Sequence, residues 1–200
     1  MTQPRGLLTN NADIAAVLTA VGELIAADGV TYAIVIIGGA ALNLSGIIGR
    51  PTNDVDILAW RTEGKITRPP DLLPLPLVRA IGAVADRFGL PADWLNTLAA
   101  SQWDTGLPPG LTERVRWRDY AALTVGVIDR YDLIFFKVYA AADSGPRDRH
   151  YQDLLALRPT GGELTAAIAW VRTQDPSVEF AGMLENLYHR LQLDLPPNAS

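Results

Sequence analysis

The stretch Ile34-Val-Ile-Ile-Gly-Gly-Ala-Ala-Leu-Asn-Leu-Ser-Gly-Ile-Ile-Gly-Arg-Pro-Thr-Asn-Asp-Val-Asp-Ile-Leu58 admits few structures. It reads as a buried strand, a turn at Gly38-Gly39, a short helix and a loop. A second strand follows, carrying Asp54 and Asp56. Side chains two apart on a strand point the same way, so the two carboxylates are expected side by side, about 7 Å apart between Cα atoms. Like charges that close on an apolar strand (Val55, Ile57, Leu58) are costly without a cation. Mg²⁺ suits such a place, because it favours one or two carboxylates together with substrate phosphates. Gly38 and Gly39 supply the complement: backbone N–H groups at a helix start attract phosphate, and glycine lets it approach closely.

The same stretch raises one membrane alternative. Gly29 to Gly49 carries no charge over 21 residues, which is long enough to span a bilayer. Five glycines, Asn43 and Ser45 interrupt it, and the apolar part proper, Ala33 to Leu42, is too short. A buried strand followed by a buried helix accounts for it better.

Composition narrows the function classes. The apolar fraction is 48% and the length 200 residues, enough for one sizeable core with an appended helical part. There is no cysteine, which removes disulfides, thiolate metal sites and thiol nucleophiles. The net charge of −5 excludes a broad basic face for nucleic acid, so any such contact is local. Met1-Thr-Gln-Pro-Arg-Gly6 lacks the pattern of a signal peptide, and the chain is expected to be cytoplasmic.

Along the chain, Asn10 or Asn11 caps a helix reaching Asp28, with Ile14, Val17, Leu18, Val21, Leu24 and Ile25 on one face. Strands are expected at Tyr32–Ile37 and Val55–Trp60, with a short helix at Ala40–Ser45 between them. Residues 61–76 read as a proline-rich loop. Helices are expected over Leu77–Phe88 and Pro91–Ala100, then strands at Arg114–Trp117 and Leu123–Ile128. The last third is helical: Tyr131–Ala142, Arg147–Leu157, a helix opening on the capping box Thr160…Glu163, and one from Ser177 to about Leu193. A frayed tail is expected over Leu195–Ser200. The organisation is α+β: a mixed sheet with helices over 1–130, then a helical part over 131–200.

These features together resemble the signature of the polymerase-beta-like nucleotidyltransferase superfamily: paired glycines, a short spacer, then Asp-x-Asp on the next strand. The fuller pattern Gly38-Gly39-x-Ala41-Leu42…Arg50-x-Thr52-x-Asp54-Val55-Asp56 is similar to its AbiEii and MenT toxin branch and uncharacterised relatives. The spacer is about one residue longer here, at Ile47-Ile48-Gly49. Leu133-Ile-Phe-Phe-Lys137-Val-Tyr-Ala-Ala141 is similar to that branch's second motif, and Arg147-Asp-Arg-His150-Tyr-Gln-Asp153-Leu-Leu-Ala-Leu157 to its third. Trp94-Leu95-Asn96 resembles the uncharacterised relatives.

The resemblance implies a small nucleotidyltransferase-type sheet and a Mg²⁺-dependent transfer of NMP from an NTP to an acceptor hydroxyl. In the toxin branch that acceptor is RNA, such as a tRNA 3′ end, and the partner is a cognate antitoxin. Asp54 and Asp56 hold metal; Gly38, Gly39, Arg50 and Thr52 contact nucleotide; Lys137 and Asp153 join Asp54 and Asp56 as catalytic residues. Each has a plainer alternative. Arg50 neutralises the loop beside Asp54, Thr52 turns that loop, and Lys137 snorkels at a helix edge. Asp153 is exposed and pairs with Arg149, while His150 is a solvated helix residue. The five tryptophans are core or partly buried packing. The chain departs from many active members in lacking an acid on the strand Leu123–Ile128; Asp129 and Asp132 lie just past it. Asp153 is the expected substitute and Asp148 the fallback. The local patch Arg114, Arg116 and Arg118 is the expected grip for RNA. The alternatives are a small-molecule or protein acceptor, and an inactive module that only binds.

Overall fold

A computed structural model of the chain describes residues 8–195. The expected frayed tail past Leu195 and the start Met1–Gly6 lie outside the described residues. The chain forms two compact units, Met1–Asp129 and Arg130–Ser200.

The first unit is α+β. Helix α1 (Asn11–Ala27) starts where the Asn10 side chain accepts from the amides of Ala12 and Asp13. It ends at Gly29, which takes φ +71°. Ile14, Val17, Leu18, Val21 and Ile25 are buried as the periodicity predicts, whereas Leu24 is 42% exposed and lies off that face. Gly22 is the contact point of α1 with the sheet. A Cβ there would stand 1.7 Å from the Tyr120 carbonyl oxygen, so no larger residue fits.

Strands β1 (Tyr32–Ile37), β2 (Val55–Thr62), β3 (Lys65–Thr67), β4 (Leu95–Asn96), β5 (Arg116–Tyr120) and β6 (Leu123–Val127) make one mixed sheet. The order is β3-β2-β1-β6-β5, with β4 also on β2. β1 runs antiparallel to β2 and parallel to β6. Ile34, Val35, Ile36, Ile57, Leu58 and Val125 are fully buried at its centre. Helix α2 (Gly38–Leu44) follows β1 without a connecting residue. The uncharged run over 29–49 is thus a central strand and a buried helix. No helix among the described residues is long and apolar enough to cross a membrane.

Two expectations fail here for tertiary reasons. Residues 61–76 are not all loop. β2 continues to Thr62 and turns on Glu63 and Gly64, at φ +52° and +79°, into β3. Positive φ at both central residues is the hairpin geometry that matches strand twist. Nor is 91–100 a helix. The Val55 amide donates to the Trp94 carbonyl (2.6 Å), Leu95 pairs with Val55, and Asn96 pairs with Asp56. A 3₁₀ turn (Leu98–Ser101) and a short helix α4 (Gln102–Thr105) follow. Helix α3 (Leu75–Phe88) ends on Gly89 at φ +68°, as expected, and α5 spans Leu111–Arg114.

Among the described residues the second unit is four helices: α6 (Arg130–Ala141), α7 (Arg149–Leu157), α8 (Gly161–Gln174) and α9 (Val178–Asp194). Asp148, Thr160 and Ser177 cap the last three, and the Thr160/Glu163 box closes in both directions. Arg130 joins α6 to the α7–α8 turn. It donates to the carbonyls of Leu157 and Arg158 (2.8 Å each) and pairs with Glu163 at 2.7 Å.

Candidate functional site

The sheet register brings the glycine turn to the carboxylates. The last residue of β1, Ile37, pairs with Asp56 on β2, and Asp56 pairs with Asn96 on β4. Gly38 comes next in the chain, at φ +77°. A Cβ on Gly38 would stand 2.8 Å from Asp56 Oδ2. The position therefore demands glycine twice, by backbone angle and by the carboxylate lying against it.

Gly39 meets the other arm of the loop. A Cβ there would be 2.9 Å from Thr52 Oγ1 and 3.9 Å from Arg50 Nη2. Thr52 Oγ1 in turn lies 3.3 Å from Asp54 Oδ1 and donates in that direction. Thr52 is buried, and its backbone exchanges two hydrogen bonds with Leu8 (2.9 and 3.1 Å), which fixes the loop. Buried Asn43 on α2 donates to the carbonyls of both Gly39 (3.1 Å) and Arg50 (3.0 Å), clamping loop to turn. The structure thus gathers Gly38, Gly39, Arg50, Thr52, Asp54 and Asp56. Asp54 departs from the expected geometry in one respect: it precedes β2, so only Asp56 stands on the strand.

On the far side of β2 from the turn, a cleft of about 250 Å³ is lined by Asn53, Asp54, Pro91, Asp93, Asn96 and Leu98. Its wall is firmly built. Trp94 is fully buried and its indole N–H donates to the Ile81 carbonyl at 3.2 Å. Asn96 Oδ1 accepts from the Leu98 amide at 2.9 Å. Trp94-Leu95-Asn96 is therefore an anchor, a core residue and a cleft residue in turn. Sequence reasoning missed Asp93. Its only signal was its place immediately before that tripeptide.

In the second unit, Lys137 and Asp153 make an ion pair of 2.7 Å with side chains 7% and 1% exposed. This replaces both plainer alternatives: Lys137 does not snorkel, and Asp153 is neither exposed nor paired with Arg149. His150 is half-buried rather than solvated, with Nδ1 at 3.4 Å from Lys137 Nζ. Burial, then the Lys137 charge, holds its pKa below the usual histidine value. Asp148 serves as the helix cap. The hydrogen bond from the His150 amide (2.7 Å) holds its carboxyl below the usual range. Asp132 is fully buried in the first turn of α6, a carboxylate noticed in the sequence only as lying past the strand.

The arginine patch is partly committed. Arg114 donates to the Pro109 carbonyl (2.7 Å) and Arg116 pairs with Asp129 (2.9 Å), leaving Arg118 without an ion pair among the described residues. Trp94 and Trp170 are buried and Trp60, Trp103 and Trp117 partly buried, as expected.

Among the described residues no three His, Asp or Glu side chains gather as a metal site. The donors near the turn are two carboxylates with hydroxyl and amide oxygens, hard ligands of the kind that Mg²⁺ shares with phosphate. No family model, no curated protein and no solved structure matches this chain.

Proposed function

We propose that the chain is a nucleotidyltransferase that moves NMP from an NTP to an acceptor hydroxyl. The observation that carries this reading is the packing of Gly38 against the Asp56 carboxylate, with Thr52 and Arg50 against Gly39 and Asp54 beside Thr52. A turn with no side chain facing a carboxylate leaves room where a phosphate and its counter-ion meet. The two glycine amides orient the triphosphate, and Arg50 answers its charge. Asp54 and Asp56 are the residues to hold Mg²⁺, which when bound draws off charge developing on the phosphate oxygens. The acceptor oxygen attacks the α-phosphorus, the bond to the β-phosphate breaks, and pyrophosphate leaves with the electron pair. The resemblance also gives Lys137 a cationic and Asp153 an acidic role; within the second unit the two answer each other at 2.7 Å.

The test is transfer of label from α-labelled NTPs with Mg²⁺, comparing wild type with Asp56→Asn. Transfer should fall by at least a hundredfold with the circular-dichroism spectrum unchanged, the scale of a lost charge-stabilising group. Retained transfer by a folded Asp56→Asn protein rules the assignment out.

For the acceptor, the resemblance points to an RNA 3′ end, with a cognate antitoxin as partner. A second reading, a small-molecule acceptor, is favoured by the engagement of Arg114 and Arg116 within the protein and by the acidic lining of the cleft beside Asp54.

A further inference from the structure

Ile37, Asp56 and Asn96 stand in one row across β1, β2 and β4. The glycine turn extends that row on the β1 side, and the cleft opens on the β4 side. The Asp54–Asp56 pair lies between. In-line displacement at phosphorus requires the attacking oxygen opposite the leaving pyrophosphate. If the triphosphate rests on Gly38 and Gly39, attack comes from the β4 side. From this row we infer that the Asn53–Asp54–Asp93–Asn96 cleft is the acceptor subsite, and that it takes a small hydroxyl compound that is neutral or cationic. This rests on the nucleotidyltransferase reading above.

The chemistry of the lining sets the class. Among the described residues the cleft presents two carboxylates, two carboxamides, Pro91 and Leu98, and no cationic side chain. A polyanion such as an RNA terminus would bring phosphates against Asp93, with like charges unfavourable at that range. A ligand rich in O–H and N–H donors meets acceptors on two sides. The volume of about 250 Å³ lies just below the usual range for drug-sized ligands, so it suits one sugar ring or a short amino alcohol. Leu98, 77% exposed at the rim, offers an apolar surface for the face of such a ring. In the transfer the acceptor oxygen bonds the α-phosphorus, pyrophosphate departs, and the hydroxyl proton passes to solvent through a cleft carboxylate.

The test uses one skeleton in three charge states: glucosamine, glucose and glucose 6-phosphate. Their binding to the full chain is followed by NMR through the side-chain amides of Asn53 and Asn96. Saturable shifts are expected with glucosamine, weaker ones with glucose, and none with glucose 6-phosphate. Asp93→Asn should weaken glucosamine about tenfold, the size of one lost charge contact. Absence of a saturable shift with glucosamine, or equal shifts with glucose 6-phosphate, overturns the inference. A second arm follows α-phosphate label into the three sugars and into total tRNA. Label in tRNA that Asp93→Asn leaves unchanged also overturns it, while leaving the transferase reading intact. If no acceptor is labelled, the transferase reading falls, and the binding arm alone still decides whether the cleft selects by charge.

Discussion

Gly38 is where a single side chain decides most. An alanine there must take φ near +77°, which costs about 1–2 kcal/mol for an L-residue. It must also push the Asp56 carboxylate, since its Cβ would stand 2.8 Å from Oδ2. Gly38→Ala should therefore lose stability by about 2 kcal/mol in urea titration, and nucleotidyl transfer by far more than that loss explains. Transfer at the wild-type rate would show that the turn does not hold the triphosphate. The Lys137–Asp153 pair makes a second prediction at this scale. Each partner alone is a buried charge, so Lys137→Met or Asp153→Asn should each cost about 3–5 kcal/mol. The same titration checks both, and a loss below about 1 kcal/mol would show that the pair contributes no more than an exposed one. The glycines and the Asp-x-Asp pair were legible from sequence, since backbone freedom and paired acids declare themselves in residue types. Asp93 was not, because it becomes a cleft residue only when β4 pairs with β2.

Elements that signal their own ends were easily read. Asn10, Thr160, Ser177 and Gly89 set helix boundaries through bonds to their neighbours in sequence, so local chemistry sufficed. Strand β4 is held by Val55 and Asp56, forty residues earlier in the chain, and β3 by a turn whose Glu63 gives no strong signal. Helix α1 supplies the prediction at this scale. Its apolar stripe said which face is buried, but not how closely it approaches. A Cβ on Gly22 would overlap the Tyr120 carbonyl at 1.7 Å, and the Ala122 amide donates to the Gly22 carbonyl. Gly22→Ala should force α1 off β5 and cost about 3 kcal/mol by chemical denaturation, despite the better helix propensity of alanine. A neutral or stabilising result would mean that the helix slides without loss of core contacts.

Across the whole molecule, the buried and hydrogen-bonded titratable groups set a stability profile with pH. His150 is held below its ordinary value of 6.5, so the folded state binds its proton less readily than the unfolded state. Stability falls as pH drops below 6.5, because the unfolded chain takes up the proton first. The carboxyls of Asp13, Asp148 and Asp175 are held low by hydrogen bonds. Glu163 is held low by Arg130 and the Thr160 amide against the opposing effect of burial. Their contribution is complete above the unfolded values of 3.8 and 4.5 and is lost as pH falls through the lower folded ones. Tyr151 acts at the other end. Burial and its bond to Asp194 push it up to about 12, so its contribution is whole below 10 and fades as pH rises towards 12. Urea midpoints should therefore be flat between pH 7 and 9, fall as pH drops below 6.5, and fall further below pH 4.5. His150→Gln should remove the limb that begins at pH 6.5 and leave the one below pH 4.5. If the limb that begins at 6.5 survives that substitution, a group other than His150 carries it, and the half-buried imidazole beside Lys137 is not what that limb reports.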